Sequence, residues 1–254
     1  MKALITFSIC FFFNFHVLCA QQLLSKVYSL NTRATKTATG SNKTMFSGSG
    51  AVLSKHQLNC HTIVSDRKLV YNGDDADELF FIVKYGPVHI VLNGQAFQLD
   101  KGSVIFLLPG DKLTVENKRK DDVEVYEMRM VSQTGRNESR GKSAGPSFVI
   151  NWDDMVYKPH NRGCVRQLFD RKTVMLNRFD IHITSLNPEI NSHEPHTHKN
   201  EEIILMIDGV GEMQLGASKQ TIVTGDAAWV ESEIPHNFTN TGKRPAVYFA
   251  IQWN

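Results

Sequence analysis

The chain has 254 residues, with 28 Lys plus Arg against 26 Asp plus Glu and a formal charge of +2, so no polyanion or polycation is implied as its partner. Hydrophobic residues make up 41% and charged residues 21%, which excludes a coiled coil, a collagen, a disordered tail and a polytopic membrane protein. What remains is a compact core.

The first twenty residues read differently from the rest. Lys2 precedes an apolar run from Ala3 to Leu18, and Cys19-Ala20 then gives way to Gln21-Gln22. A positive start, a short apolar stretch and a small residue before polar ones describe a secretory signal. The run is too short and poorly flanked for a transmembrane helix, so no stable membrane insertion is expected after cleavage. Cleavage after Ala20 leaves 234 residues and places the protein in the periplasm or outside the cell. A lipid anchor on Cys19 is the alternative, and the bulky Leu18 argues against it. Of the four cysteines only Cys60 and Cys164 then remain, and a bridge and two buried thiols stay equally open. Asn42, Asn137 and Asn237 begin glycosylation sequons.

Residues 21–45 are polar and read as an arm over one part of the fold. Beyond them, short runs of Val, Ile, Phe, Tyr and Leu recur between turn residues: Leu79–Val83, Val88–Leu92, Val104–Leu108, Val123–Met130, Phe179–Leu186, Ile203–Ile207, Gln220–Val223 and Ala246–Trp253. Asn93-Gly94 between two of them predicts a tight hairpin. No stretch keeps a 3.6-residue period over three turns, so the class is all-β, a sandwich or barrel. The pattern also repeats. Glu78, Gly86, Gly102 and Asn117 are followed by Glu202, Gly209, Gly225 and Asn240 at nearly the same separations. Residues 132–147 are polar and aperiodic, a linker between copies. The expected organisation is a signal at 1–20, a first unit at 21–132 with its polar arm, a linker at 133–149 and a second unit at 150–254.

Histidines gather in the second copy at His193, His196, His198 and His236. His196 and His198 stand two apart, so on extended chain both imidazoles face the same way. Glu202 lies four residues beyond, and His236 arrives after the turn at 232–235. Three imidazoles and a carboxylate suit a divalent transition metal such as Mn, Fe, Co, Ni, Cu or Zn. On Phe179–Leu186, His182 shares a face with Asp180 and Thr184, while Phe179, Ile181 and Ile183 take the other. Tyr248, Ala250 and Gln252 alternate likewise on the last strand, and both polar faces are candidate pocket walls. His56, His61, His89 and His160 lack partner spacing and read as surface or hydrogen-bonded positions.

These residues resemble the two motifs of the cupin superfamily. His-x-His-x3-Glu-x6-Gly corresponds to His196, His198, Glu202 and Gly209. The second motif, Gly-x5-Pro-x-Gly-x2-His-x3-Asn, corresponds to Gly225, His236 and Asn240, with Glu231 and Glu233 where Pro and Gly usually stand. The resemblance implies two tandem cupin barrels, each a double-stranded β-helix or jelly roll, covering roughly residues 60–254. It implies one divalent metal, Mn, Fe, Ni or Zn, on His196, His198, Glu202 and His236. In the first copy, alignment on Glu78 puts Asn72 and Asp74 at the His196 and His198 positions, and Leu113 falls at that of His236. That copy reads as scaffold, with an oxygen-ligand site at Asn72, Asp74 and Glu78 as the alternative.

Cupins with such ligands include dioxygenases and oxalate decarboxylases as well as sugar-phosphate and uronate isomerases. The architecture is also similar to the ureidoglycine aminohydrolases, bicupins with an empty first copy and manganese in the second, although their ligand set differs. Export favours a metal-dependent isomerase or lyase acting on a small oxygen-rich acid such as a sugar acid, with His182 as its proton shuttle. The alternatives are an O2-dependent dioxygenase or decarboxylase, an aminohydrolase-like hydrolase, and a binding protein without turnover. The expected partner is a small-molecule substrate and not a nucleic acid, and homodimers are common in the family.

Overall fold

The computed structural model describes residues 21–73 and 76–254. The segment at 1–20, read above as a secretory signal, and Asp74 lie outside the described residues. The chain opens with β1 (Lys26–Tyr28), β2 (Thr35–Thr37), β3 (Gly40–Gly48) and β4 (Leu53–Ile63). Next come β5 (Lys68–Tyr71), β6 (Glu78–Tyr85), β7 (Val88–Leu92), β8 (Gln95–Leu99), β9 (Val104–Leu107), β10 (Leu113–Glu116) and β11 (Val123–Ser132). A helix, α1 (Glu138–Ala144), and β12 (Phe148–Ile150) lead to β13 (Tyr157–His160), β14 (Gly163–Arg171) and β15 (Phe179–Leu186). The chain ends with β16 (Glu201–Asp208), β17 (Val210–Leu215), β18 (Ser218–Val223), β19 (Ala227–Val230), β20 (His236–Asn240) and β21 (Ala246–Trp253).

All pairing between these strands is antiparallel, and each copy forms a large and a small sheet. The first has a seven-stranded sheet ordered β12-β9-β6-β11-β4-β3-β2 and a four-stranded one ordered β5-β10-β7-β8. The second has a seven-stranded sheet ordered β1-β19-β16-β21-β15-β14-β13 and a three-stranded one ordered β18-β17-β20. The hairpin between β7 and β8 turns on Asn93-Gly94, both at positive φ (47° and 88°), as its right-handed strands require.

The copies exchange strands. β1 precedes the first copy yet pairs with β19 of the second, Val27 opposite Ala228, and β12 pairs back onto β9, Val149 opposite Ile105. The sequence boundaries at 132 and 150 therefore do not divide the sheets. The segment read as a linker is also packed rather than free. Asn137 caps α1 by accepting from Arg140 N at 2.9 Å, while Arg140 donates to the carbonyls of Thr173 and Val174. Seven residues are too few for a helix to persist alone, so docking holds it.

The two large sheets pack face to face. β6 and β16 are buried on both faces, which is why they read as continuous apolar runs rather than alternating ones. Phe80 and Ile82 from one, and Ile203 and Leu205 from the other, share the core between barrels with Phe179, Ile181, Trp229 and Trp253. Leu79 and Phe81 fill the first barrel, whereas Ile204 and Met206 face into the second.

This packing corrects the register of the repeat. Gly86 and Gly209, Gly102 and Gly225, and Asn117 and Asn240 are each 123 residues apart. Glu78 faces Met130 across β11, and Glu201 faces Trp253 across β21, at that same spacing. The counterpart of Glu78 is thus Glu201, and Leu79 stands where Glu202 does. The two carboxylates do matching work. Glu78 accepts from Val174 N (3.0 Å) and Met175 N (3.3 Å), and Glu201 accepts from Ala51 N (2.6 Å) and Val52 N (3.2 Å), each bridging to the other half of the chain.

The oxygen-ligand alternative in the first copy fails on these facts. Glu78 is committed to backbone amides and Asn72 is exposed. In the interior of that copy Glu127 accepts from Tyr71 (2.6 Å), lies 2.7 Å from His61 Nε2 and pairs with Arg129. Burial would raise its carboxyl, but His61, Arg129 and Tyr71 outweigh that and hold it near about 2. Salt-bridged side chains occupy this interior, and no three-ligand cluster forms there among the described residues.

Burial pushes the Glu78 carboxyl up to about 7, against the backbone amides that favour its charge. A folded pKa above the unfolded 4.5 gives stability that is complete below 4.5 and lost as pH rises through about 7. Glu78→Gln keeps an acceptor for both amides and places its NH2 where Oε1 has no partner. The variant is expected to gain on the wild type by a few degrees in Tm between pH 5 and pH 8. Parallel thermal unfolding at both pH values checks this, and curves that move together would exclude the titration.

Candidate metal centre

Three segments bring the site together at the mouth of the second barrel. His198 lies in the loop before β16, Glu202 is the second residue of β16, and His236 opens β20. His196 is clipped onto His236 by reciprocal backbone bonds, His236 N to His196 O at 3.0 Å and His196 N to His236 O at 3.3 Å. The turn at 232–235 completes the clamp, with Glu233 N donating to His198 O at 2.8 Å.

Both departures from the expected motif have a structural reading. Glu233 adopts φ 61°, the left-handed conformation that glycine takes freely, so the turn keeps its shape at a cost of about 1 kcal/mol. Glu231 accepts from the backbone N and the hydroxyl of Ser25, both at 2.9 Å, and so pins the N-terminal arm beside the site.

The ring nitrogens of His196, His198 and His236 that could ligate lie within 4.8 Å of one another. Glu202 joins them through Oε2, which is 3.0 Å from His236 Nε2 and 3.3 Å from His198 Nε2. Gln252 donates to its other oxygen at 3.2 Å and in turn accepts from Asn200 at 3.2 Å. Two carbonyls fix the imidazole tautomers. His198 Nδ1 donates to Asn200 O at 2.9 Å and His236 Nδ1 donates to Ile234 O at 2.7 Å. A carbonyl only accepts, so the proton sits on Nδ1 and the Nε2 lone pairs of neutral rings point at the carboxylate.

That arrangement is repulsive unless a proton or a cation lies within it. The buried His236 Nε2, although 3.0 Å from Glu202, lacks hydrogen-bond geometry to any group. Burial alone would raise the Glu202 carboxyl, but His198 and His236 hold it well below the usual range, so it stays anionic. Hydrogen bonding to Glu202 raises His198, and burial lowers His196. An anion, fixed tautomers and an orphaned inward nitrogen fit a divalent metal, with outer hydrogen bonds of the kind that orient metal ligands.

The centre opens onto a cavity of about 330 Å³. His182 lines it from β15 with Thr184, and Tyr248, Ala250 and Gln252 line it from β21, whereas Asp180, expected on the same face of β15, pairs with Arg178 instead. His182 is separate from the three-imidazole cluster. His193 and His160 also line the cavity, His193 with its ring 4.1 Å from that of His196. His160 gave no spacing signal, because β13 reaches the cavity only through its pairing with β14. His56 is instead fully buried in the inter-barrel core, 4.9 Å from the Trp229 ring and 4.8 Å from that of Trp253. Cys60 and Cys164 are buried free thiols, and Asn237 of the third sequon is buried with its amide on His193 O.

Residues 182–252, which contain the whole centre, match the family described as the cupin domain. The C-terminal barrel is a cupin domain. Solved structures share the two-barrel cupin fold across most of the chain. Oxalate decarboxylase from Lactobacillus farciminis is 12% identical with a TM-score of 0.68, over 93% of this chain and 88% of that one. A putative glyoxylate-induced protein from Pseudomonas aeruginosa is 15% identical with a TM-score of 0.67, over 84% and 80%. Salicylate 1,2-dioxygenase from Pseudoaminobacter salicylatoxidans is 10% identical with a TM-score of 0.59, over 78% and 71%. No curated protein matches the sequence significantly. No helix among the described residues is long and apolar enough to cross a membrane.

Proposed function

We propose that the chain is an exported metal-dependent enzyme in which His196, His198, Glu202 and His236 hold one divalent transition ion and His182 moves a proton at a small acid. The observation that supports it most is the convergence of His198 Nε2 and His236 Nε2, in rings whose Nδ1 atoms are held by backbone carbonyls, on the buried Glu202 carboxylate. Such a metal, when bound, polarises a substrate oxygen as a Lewis acid. The rest of the chemistry belongs to the chain. Gln252 and the carbonyls of Asn200 and Ile234 hold the ligands in orientation, and the barrel wall excludes water. Among the described residues the His182 side chain has no hydrogen-bond partner, and it lines the same cavity, which places it to act on a bound substrate. The reaction that uses those parts most simply is an isomerase- or lyase-type proton transfer.

An O2-dependent reaction is the second reading, favoured by the likeness to an oxalate decarboxylase and a salicylate dioxygenase. Metal analysis by mass spectrometry, followed by turnover and oxygen uptake over a panel of small carboxylic acids, separates the two. Proton transfer predicts turnover without oxygen consumption. His182→Ala is expected to retain the metal and lose at least about a hundredfold in turnover. Full activity in that variant would remove the assigned role, and oxygen uptake coupled to substrate would replace the first reading with the second.

A further inference from the structure

The turn that presents the metal ligands is anchored from outside itself. Residues 231–236 leave β19, whose last residue Val230 lies opposite Glu202, and end at His236. Within them Glu233 N clamps His198 O, and Ile234 O takes the Nδ1 proton of His236. Proline would fix φ at 231 and glycine would adopt the left-handed φ of 233 freely, but the chain has Glu at both positions. The far end of the turn is held by Gly216 N on Pro235 O at 2.8 Å. The near end is held by the N-terminal arm. The Ser25 hydroxyl donates to Glu231 Oε2 and accepts from Glu231 N, both at 2.9 Å, and Ser25 N donates to the same oxygen at 2.9 Å. Gln22 adds only a contact of 3.5 Å to Oε1. Other bonds seat the arm. Leu23 is buried in the inter-barrel core, β1 pairs with β19, and Leu30 N donates to Asp226 Oδ1 at 2.9 Å. Gly48 leaves it room, since a Cβ there would lie 2.2 Å from Gln21 O.

We infer that Ser25 is a positioning residue of the metal centre. Through Glu231 it fixes the 231–236 turn, and with it the approach of His236 and His198 to Glu202. This rests on the metal reading above and adds to it a residue 206 positions from the turn it holds. A metal takes its ligand atoms in one arrangement, so freedom left in the turn before binding is lost on binding and weakens it. Reciprocal bonds to a seated arm remove that freedom beforehand. The hydroxyl carries the effect. Alanine at 25 keeps the backbone donor but leaves Glu231 N without its acceptor and Glu231 Oε2 with one donor fewer, whereas threonine keeps both bonds.

Zinc affinity of the purified protein, measured by competition with a chelating dye, tests this beside thermal unfolding of the metal-free form. Ser25→Ala is expected to weaken zinc binding about tenfold while the metal-free Tm falls by no more than about 3 °C. Ser25→Thr is expected to bind as the wild type does. Gln220→Ala removes the acceptor of Val27 N from the same arm without touching the turn, and should keep wild-type affinity. Unchanged affinity in Ser25→Ala overturns the inference, and so does a loss that Gln220→Ala matches, since Ser25 would then act only by seating the arm. Glu231→Ala breaks the same pin from the turn side and is expected to weaken zinc equally; unchanged affinity there also overturns the inference. A wild type that binds no zinc defeats the metal reading and this inference together. Zinc held alike by the wild type and Ser25→Ala, and lost from His236→Ala, defeats the inference alone.

Discussion

His236→Ala is expected to abolish metal retention while leaving the barrel folded. His236 offers an inward Nε2 with no hydrogen bond of its own, so the substitution removes a ligand and one tautomer-fixing bond to Ile234 O. Losing even an outer-shell partner weakens a metal site by about 10–100-fold, so loss of a direct ligand should exceed about a hundredfold. The control is His193→Ala. His193 is exposed and its ring lies 4.1 Å from that of His196, yet it is outside the converging set. It should keep its metal after exhaustive dialysis, as read by mass spectrometry. Equal retention by both variants would mean that His236 is not a ligand, and loss from His193→Ala alone would move the centre outward.

Glu201→Ala should be strongly destabilising. The carboxylate is buried and accepts from three donors, Ala51 N at 2.6 Å, Val52 N at 3.2 Å and Trp253 Nε1 at 3.0 Å. Truncation leaves the buried Trp253 Nε1 without a partner and removes the bonds to the amides of the exposed Ala51 and the half-buried Val52, in the junction between the copies. At about 1–3 kcal/mol for the buried orphan and about 1 kcal/mol for each of the two amide bonds, the loss is about 3–5 kcal/mol, or a fall in Tm of roughly 10 °C. The space is shaped for it, since a Cβ on Gly50 would lie 2.3 Å from the Glu201 carboxylate. Thermal unfolding measures the effect, and a shift of only about 2 °C would show that the bridge contributes little. Glu201 is adjacent to the ligand Glu202 but on the opposite face of β16, so the variant also separates architecture from metal chemistry.

Alternating apolar residues and turn signals were enough to read an all-β chain, its strands and its twofold repeat, because side-chain direction follows local period alone. The limits of β7, β15 and β21 were legible to the residue. His196, His198, Glu202 and His236 were legible as a group because their spacings are local on two short segments. The inward aspect of His182, Tyr248 and Gln252 also followed from period two, once the opposite faces carried Phe and Ile.

What tertiary packing decided lay one residue or one barrel away. Glu78 and Glu202 looked equivalent in the sequence, and only the cross-strand partners Met130 and Trp253 showed that Glu201 is the true counterpart. A slip of one residue turns a strand over, and β6 and β16 are buried on both faces, so their composition could not reveal it. The strand exchange through β1 and β12, the helix in the linker and the arrival of His160 at the cavity depend on contacts between segments distant along the chain. The residue types fixed what the site can bind, and long-range pairing, to which local pattern carries no information, decided which groups reach it and which are left free for a ligand.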